Sequence, residues 1–99
     1  MNKSFDWDIH KNRENIRKHG ISFEDAIELW RNNPLEIEGV VYFRGEERRG
    51  TFGIVRGKVY LAIWTPRNEV IRIISVRRAR KDEEKSYYQK TFQECSGNG

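Results

Sequence analysis

The densest cluster of positive charge in the chain comes directly after an apolar stretch, in the sequence IRIISVRRARK at residues 71–81. Arginine outnumbers lysine there, and guanidinium groups make planar, bidentate contacts with phosphate and carboxylate groups. Such a cluster points first to nucleic acid and next to an acidic protein partner. The chain carries a formal net charge of +4. The cations of the cluster are Arg72, Arg77, Arg78, Arg80 and Lys81.

Two further arginines, Arg67 in TPRNE and Arg48 in GEERRG, lie at predicted turns. If TPRNE joins two antiparallel strands, Arg67 lies nearer to Arg72 than to Arg77. Strand pairing alone therefore does not place all the arginines in one cleft. The alternative for each arginine is a surface ion pair, and GEERRG can pair its own charges. The available carboxylates are Glu46, Glu47, Glu69, Glu83 and Glu84.

Side chains that could transfer a proton are few. His19 carries an imidazole, which suits acid–base catalysis near neutral pH. In the last turn before Gly20 it can equally pack or interact with the helix dipole. Tyr87 and Tyr88 could stack on a base or donate a proton, and we expect one of them to pack in the core instead.

Other classes of protein find little support in the chain. Its one cysteine, Cys95, allows no internal disulfide and no zinc quartet, and no metal-binding or glycine-rich phosphate motif occurs. No apolar run reaches the roughly 18 residues of a membrane span, and the N-terminus has no apolar signal region. These features predict a cytoplasmic protein without cofactor or metal.

Two helices are predicted before Pro34. The first spans residues 9–19, with Asp8 as N-cap, and its expected inward stripe is Ile9, Asn12, Ile16 and His19. The second spans residues 21–30, with Ser22 as N-cap. Its expected core-facing stripe is Phe23, Ala26, Ile27 and Trp30.

After Pro34 the apolar pattern changes to a period of two, which predicts strands near 35–43, 50–56, 58–65 and 70–77. Gly57 marks a tight hairpin. A third helix is predicted from Ala79 to about Phe92. The sequence thus predicts an α+β domain over residues 5–92, with two N-terminal helices, a four-stranded, mostly antiparallel sheet and a C-terminal helix. We expect residues 1–4 and 93–99 to be flexible.

Three segments together resemble the BrnT family of bacterial type II toxins: FDWDIHKNRENIRKHGISFEDAIELW, GEERRGTFG and TPRNEVIRIISVRRARKDEEKSYY. The resemblance extends over residues 5–88 and rests on four motifs in family order. Matched positions include Trp7, Asp8, Lys11, Asn15, Lys18, His19, Gly20, Glu46, Arg48, Thr65, Arg67, Arg72, Arg77, Glu83 and Tyr87.

This resemblance implies a RelE-like fold and a ribonuclease that inhibits translation. It also implies a partner, a BrnA-type antitoxin with a ribbon-helix-helix domain, which neutralises the toxin in a hetero-oligomer. Operator DNA would be bound only through that complex.

For such an activity we expect Arg67, Arg77 and Arg48 to hold the scissile phosphate without a metal ion. Glu83 or His19 is the expected base, and Tyr87 a positioning or proton-donating group. The expected RNA-binding residues are Arg72, Arg78, Arg80, Lys81 and Lys18. The alternative is a module that binds RNA or an acidic partner without cutting anything, and phosphate contacts would make its binding steeply salt-dependent.

Overall fold

The computed structural model describes residues 3–96. Its elements are β1 (Ser4–Trp7), α1 (Ile9–His19), α2 (Phe23–Ala26) with a following 3₁₀ turn (Ile27–Trp30), β2 (Leu35–Glu36), β3 (Val41–Phe43), β4 (Glu46–Val55), β5 (Lys58–Arg67), β6 (Val70–Arg78) and α3 (Lys81–Ser96). The α+β class is confirmed. The predicted four-stranded sheet is wrong, because the sheet within residues 3–96 has six strands.

The strands run in the order β1-β6-β5-β4-β2, and β3 pairs with another part of β4. The predicted hairpin at Gly57 is confirmed: Arg56 and Gly57 both have positive φ, as a two-residue hairpin turn requires. Asn68 and Glu69 form the corresponding turn between β5 and β6. The single strand predicted over 35–43 is divided into β2 and β3, and the backbone between them includes Gly39 at φ 93°.

Strand β1 was not predicted, and it makes the sheet mixed, because it pairs in parallel with β6. Its four residues are too few to show a clear alternation. Its partner also lies more than 60 residues later, so local sequence does not indicate the pairing. Phe5 and Trp7 pack against the core, and the outward-facing Asp6 is paired in register with Arg72.

Helix α1 lies along the edge of β6 beyond the end of β1, and its inward residue is Asn15. The Asn15 amide donates hydrogen bonds to the carbonyl oxygens of Val76 and Ile21, and its Oδ1 accepts one from the Val76 N–H. The predicted inward stripe is wrong, because Ile9 and Ile16 are exposed. A polar residue faces the sheet because it completes the hydrogen bonding of an open strand edge.

The second predicted helix is α-helical only to Ala26 and then tightens into the 3₁₀ turn. Phe23, Ala26 and Leu29 are fully buried, at a spacing of three that matches 3₁₀ geometry rather than the α-helical period. The predicted stripe is therefore correct for Phe23 and Ala26 but missed Leu29. Of the other two members, Ile27 and Trp30 are half-buried.

The two faces of the sheet differ. One face packs against α1, α2 and the 3₁₀ turn, and Trp64, Ile73 and Val76 lie in that core. On the opposite face α3 covers the end near the β4–β5 turn, where Tyr87 packs against Phe52. The other end of that face, near the β5–β6 turn, is lined by charged side chains.

Domain boundaries at 5 and 92 stay a prediction. Ser4, in the segment expected to be flexible, begins β1, and the backbone of α3 continues to Ser96. Residues 1–2 and 97–99 lie outside the described residues. Over the part of the chain that is described, none of the helices has the length and apolar character needed to cross a membrane.

Replacing Asn15 with Ala should lower the free energy of unfolding by about 2–4 kcal/mol, because buried backbone groups at Val76 and Ile21 lose their partner. Asn32→Ala is the control, since exposed Asn32 also bonds to a strand carbonyl, that of Ile54, which water can reach. Urea unfolding measures both. Equal losses in the two variants would contradict the edge-capping role.

Candidate functional site

Arg48, Arg67 and Arg72 come from three neighbouring strands and line one surface depression of about 200 Å³. Strand pairing brings them together, because Thr65 pairs with Arg72 and Arg67 pairs with Val70. Arg48 lies on β4, which is the other neighbour of β5. The remaining lining residues are Asp8, Lys11, Glu46, Thr65, Ile73 and Ile74.

Carboxylates neutralise part of this charge. Arg67 donates to Glu46 Oε2 from Nη2 at 2.9 Å, and Arg72 donates to Asp6 Oδ2 at 2.6 Å. Arg48 is held more loosely, with Nη2 3.9 Å from Glu46 Oε1. The hydrogen bond from Arg67 is the main cause that lowers the pKa of Glu46, so this carboxyl is ionised at neutral pH. The arginines are thus ordered by ion pairs and keep N–H groups for a further anion.

The depression also contains hydrogen-bonding groups that are not satisfied within the protein. Among the side chains that the structure describes, two buried polar atoms lack a hydrogen-bond partner: Arg48 Nε and Thr65 Oγ1. Both residues line this depression. Buried polar groups are nearly always paired with protein or ordered water, so these two atoms are the groups of the depression that a water or a ligand would satisfy.

Arg77 lies elsewhere. It is paired with Leu61, five residues from Arg72 along β6, which corresponds to about 16 Å. Its guanidinium makes a bidentate contact with Glu83, with both N–O distances 2.9 Å. This pair joins the end of β6 to the first turn of α3. The structure therefore does not bring Arg77 and Glu83 together with Arg48 and Arg67.

The environment of Glu83 also bears on its predicted role as a base. The hydrogen bonds from Arg77 lower its pKa to about 2, and the backbone N–H of Arg80 contributes to the shift. A carboxylate with so low a pKa is a weak base at neutral pH. The geometry favours a structural role, which was the alternative interpretation of the surface arginines.

Tyr87 is buried, with 1% of its surface exposed. Its hydroxyl donates a hydrogen bond to the carbonyl oxygen of Asn33 at 2.7 Å, and burial raises the pKa of its phenol. The expectation that one of the two tyrosines packs in the core is confirmed for Tyr87. The side chain holds α3 against the sheet and the segment that follows the 3₁₀ turn.

His19 and Lys18 line a second depression, of about 410 Å³, between α1 and β6. It adjoins the arginine depression, since Lys11 and Ile74 line both. His10 is also part of this second depression. His19 is exposed, so the packed position considered for it is wrong.

The residues expected to bind RNA are also separated. Arg72 lies in the arginine depression, whereas the Arg78 guanidinium lies 6.0 Å from the centre of the Tyr60 ring. Arg80 and Lys81 are exposed around the start of α3, beside Glu83. Sequence reasoning assigned no role to Thr65 or Lys11, although their place in the matched motifs was a signal for them. Glu46 was considered as an ion-pair partner of the arginines, and it pairs with Arg67 and, at a longer distance, with Arg48.

Among the side chains that the structure describes, groups of three or more His, Cys, Asp or Glu that could hold a metal ion do not occur.

Comparison with known proteins identifies a matching family and a similar solved structure. A family model described as the ribonuclease toxin BrnT of type II toxin-antitoxin systems matches residues 7–83. The fold is similar to the crystal structure of the Brucella abortus ribonuclease toxin BrnT, with a TM-score of 0.61 and 25% sequence identity. That match covers 81% of this chain and 100% of the other. The comparison with curated proteins gave no match.

The Glu83–Arg77 pair predicts a pH dependence of stability. The pKa of Glu83 falls from an ordinary 4.5 to about 2 on folding, so its contribution is complete above pH 4.5 and is lost as the pH falls towards 2. Glu83→Gln should cost roughly 1–2 kcal/mol at pH 7, an amount reduced by the partial exposure of the pair. Between pH 4.5 and 2 its stability should fall less than that of the wild type.

Urea unfolding between pH 2 and 7 measures this difference, with Glu24→Gln as an exposed control. If the free energy of unfolding fell equally between pH 4.5 and 2 in the wild type and in Glu83→Gln, the result would be inconsistent with a stabilising Glu83–Arg77 pair.

Proposed function

The chain belongs to the BrnT family of ribonuclease toxins of type II toxin-antitoxin systems, and from this we propose that it cleaves RNA without a metal ion at the arginine depression. The observation that supports this site is the convergence of Arg48, Arg67 and Arg72 from three strands on one concave surface. A phosphodiester is the part of RNA that such a set of cations suits.

Metal-independent cleavage of RNA has three requirements. The 2′-hydroxyl must lose a proton, the pentacoordinate transition state must be stabilised, and the 5′ oxygen must gain a proton. Charge builds up on the non-bridging oxygens in the transition state. Guanidinium groups fixed in advance by their ion pairs stabilise that charge without reorganising during the reaction.

Arg48 is the arginine best placed to contact the phosphate. Its closest carboxylate oxygen is 3.9 Å away, whereas Arg67 and Arg72 each have one within 3 Å. The Arg48 guanidinium also lies 5.0 Å from the centre of the Phe43 ring, which holds it in place from one side. We therefore assign the main phosphate contact to Arg48, supported by Arg67 and Arg72.

The predicted catalytic set changes accordingly. His19 is not kept as the base, because it lies eight residues beyond Lys11 on α1, about 12 Å along the helix, out of hydrogen-bonding reach of a phosphate at Arg48. Arg77, Glu83 and Tyr87 are reassigned as groups that hold α3 on the sheet, since Glu83 binds Arg77 and Tyr87 is buried. Four cations outside the arginine depression remain proposed RNA contacts: Lys18, Arg78, Arg80 and Lys81.

The wider role follows from the family. We propose that RNA cleavage inhibits translation in the cytoplasm and that a BrnA-type antitoxin with a ribbon-helix-helix domain neutralises the chain. The two proteins would form a hetero-oligomer that reaches operator DNA through the antitoxin alone. The net charge of +4 supports the attraction of both RNA and an acidic protein segment.

Arg48→Ala should reduce cleavage of labelled RNA in EDTA by about 10²–10³-fold, since it removes a charged donor from the transition state. Arg17→Ala is the matched control: it removes the same charge from the exposed face of α1, where Arg17 pairs with Glu14. The wild type should leave 2′,3′-cyclic or 3′-phosphate ends. Urea unfolding verifies that both variants remain folded.

RNA binding distinguishes this proposal from the alternative of a module that binds without cutting. At an active site, Arg48→Ala retains most of the binding while cleavage is lost. If intact RNA remains in every lane, with and without translating ribosomes, and binding falls equally in Arg48→Ala and Arg17→Ala, the chain is a binding module and the proposed activity is wrong.

A further inference from the structure

Thr65 lies on β5 at the floor of the arginine depression, opposite Arg72 in the strand pairing. Only 1% of the residue is exposed. As far as the described residues extend, its Oγ1 is one of two buried side-chain atoms without a hydrogen-bond partner, and the other, Arg48 Nε, lines the same depression.

Stability does not account for a hydroxyl at this position. A buried hydroxyl without a partner is unfavourable relative to an apolar group of the same shape. Valine has that shape, packs well in a strand and has no polar group to satisfy. The nearby Thr51 shows the ordinary arrangement, since its Oγ1 accepts a hydrogen bond from Trp64 Nε1 at 2.9 Å. Within the described side chains Thr65 has no partner, so its hydroxyl is left to water or to a ligand that enters the depression.

The surroundings of Thr65 determine the class of that partner. Arg48 Nε and Arg72 offer only hydrogen-bond donors, and the hydroxyl can donate as well. Four cations line the depression against two carboxylates, Asp8 and Glu46, and Glu46 already accepts a hydrogen bond from Arg67. A group that satisfies several donors at one point is an oxyanion, and a tetrahedral one can accept from different directions. Ile74 adds apolar surface to the lining of the depression.

We propose that Thr65 is a phosphate-binding residue of this site, and that its hydroxyl donates a hydrogen bond to a non-bridging oxygen of the scissile phosphate beside Arg48 Nε. The inference rests on the proposed function for the identity of the phosphate. The arginines supply charge at the ends of long side chains, whereas Thr65, whose short side chain is fixed in the strand, sets how deep the phosphate enters and how it is oriented.

Thr65→Val tests the proposal because it removes the hydroxyl and keeps the shape. The value of kcat/KM for RNA cleavage should fall about 10–100-fold, as expected for loss of a hydrogen bond to a charged group. The urea midpoint should stay the same or rise. Thr65→Ser, which restores the hydroxyl, should recover cleavage to within about fivefold of the wild type.

Thr51→Val is the matched control on the neighbouring strand. It leaves Trp64 Nε1 without its acceptor, so its urea midpoint should fall while each folded molecule still cleaves RNA normally. The reverse pattern in Thr65→Val, an unchanged or higher urea midpoint with slower RNA cleavage, indicates a ligand contact. Cleavage by Thr65→Val at the wild-type rate, or a midpoint lowered as in Thr51→Val, would overturn the proposal.

A second measurement is independent of catalysis. Inorganic phosphate, titrated at low ionic strength, should shift the backbone amide NMR signals around Thr65 and Arg72, and the affinity should be about tenfold lower for Thr65→Val. Phosphate binding without any RNA cleavage would support the Thr65 contact and refute the proposed activity. Wild-type signals that do not respond, or equal affinities in the two proteins, would refute the Thr65 contact.

Discussion

Strands β5 and β6 are paired so that Thr65 lies opposite Arg72, while Arg77 lies opposite Leu61 at the far end of the same hairpin. This register divides the basic surface into two parts. Arg72 joins Arg67 and Arg48 in an open depression, and Arg77 is directed to the part of the sheet that α3 covers. A shift by one residue would exchange the faces and bury the arginines among the tryptophans.

The two basic parts of the surface have different roles, one in holding α3 and one in binding an anion, because their carboxylates are arranged differently. At the α3 end, Glu83 takes a bidentate contact from Arg77 and a backbone hydrogen bond from Arg80, so the charges neutralise each other and hold an element in place. At the open end, Glu46 is shared between Arg67 and the more distant Arg48. The guanidinium groups there are ordered by ion pairs but keep N–H donors for a further anion, which is the arrangement that an anionic substrate requires.

Local sequence was sufficient for features set by local physics. Asp8 and Ser22 accept hydrogen bonds from backbone N–H groups in the first turns of α1 and α2, and Gly57 forms the predicted hairpin turn. It was insufficient where distant segments decide the outcome. Strand β1 depends on an edge of β6 that is more than 60 residues away, and Asn15 faces inward because that edge continues past Trp7.

The same distinction applies to the site. Residue types and family motifs indicated Arg48, Arg67 and Arg72, and hairpin pairing correctly placed Arg67 nearer to Arg72 than to Arg77. They offered Glu83 only as one of several ion-pair partners for the arginines and did not decide which tyrosine would be buried, since both depend on how α3 packs on the sheet. Nor did they identify Thr65, because a missing hydrogen-bond partner is evident only in three dimensions.

The most direct test of this account is a crystal structure of the chain bound to a 2′-deoxy oligonucleotide, which cannot be cleaved through a 2′-hydroxyl. The account predicts one phosphate in the depression, within hydrogen-bonding distance of Arg48 and Thr65. A phosphate bound instead by Arg77, Arg78 and Arg80 at the α3 end, with the depression occupied only by solvent, would contradict it.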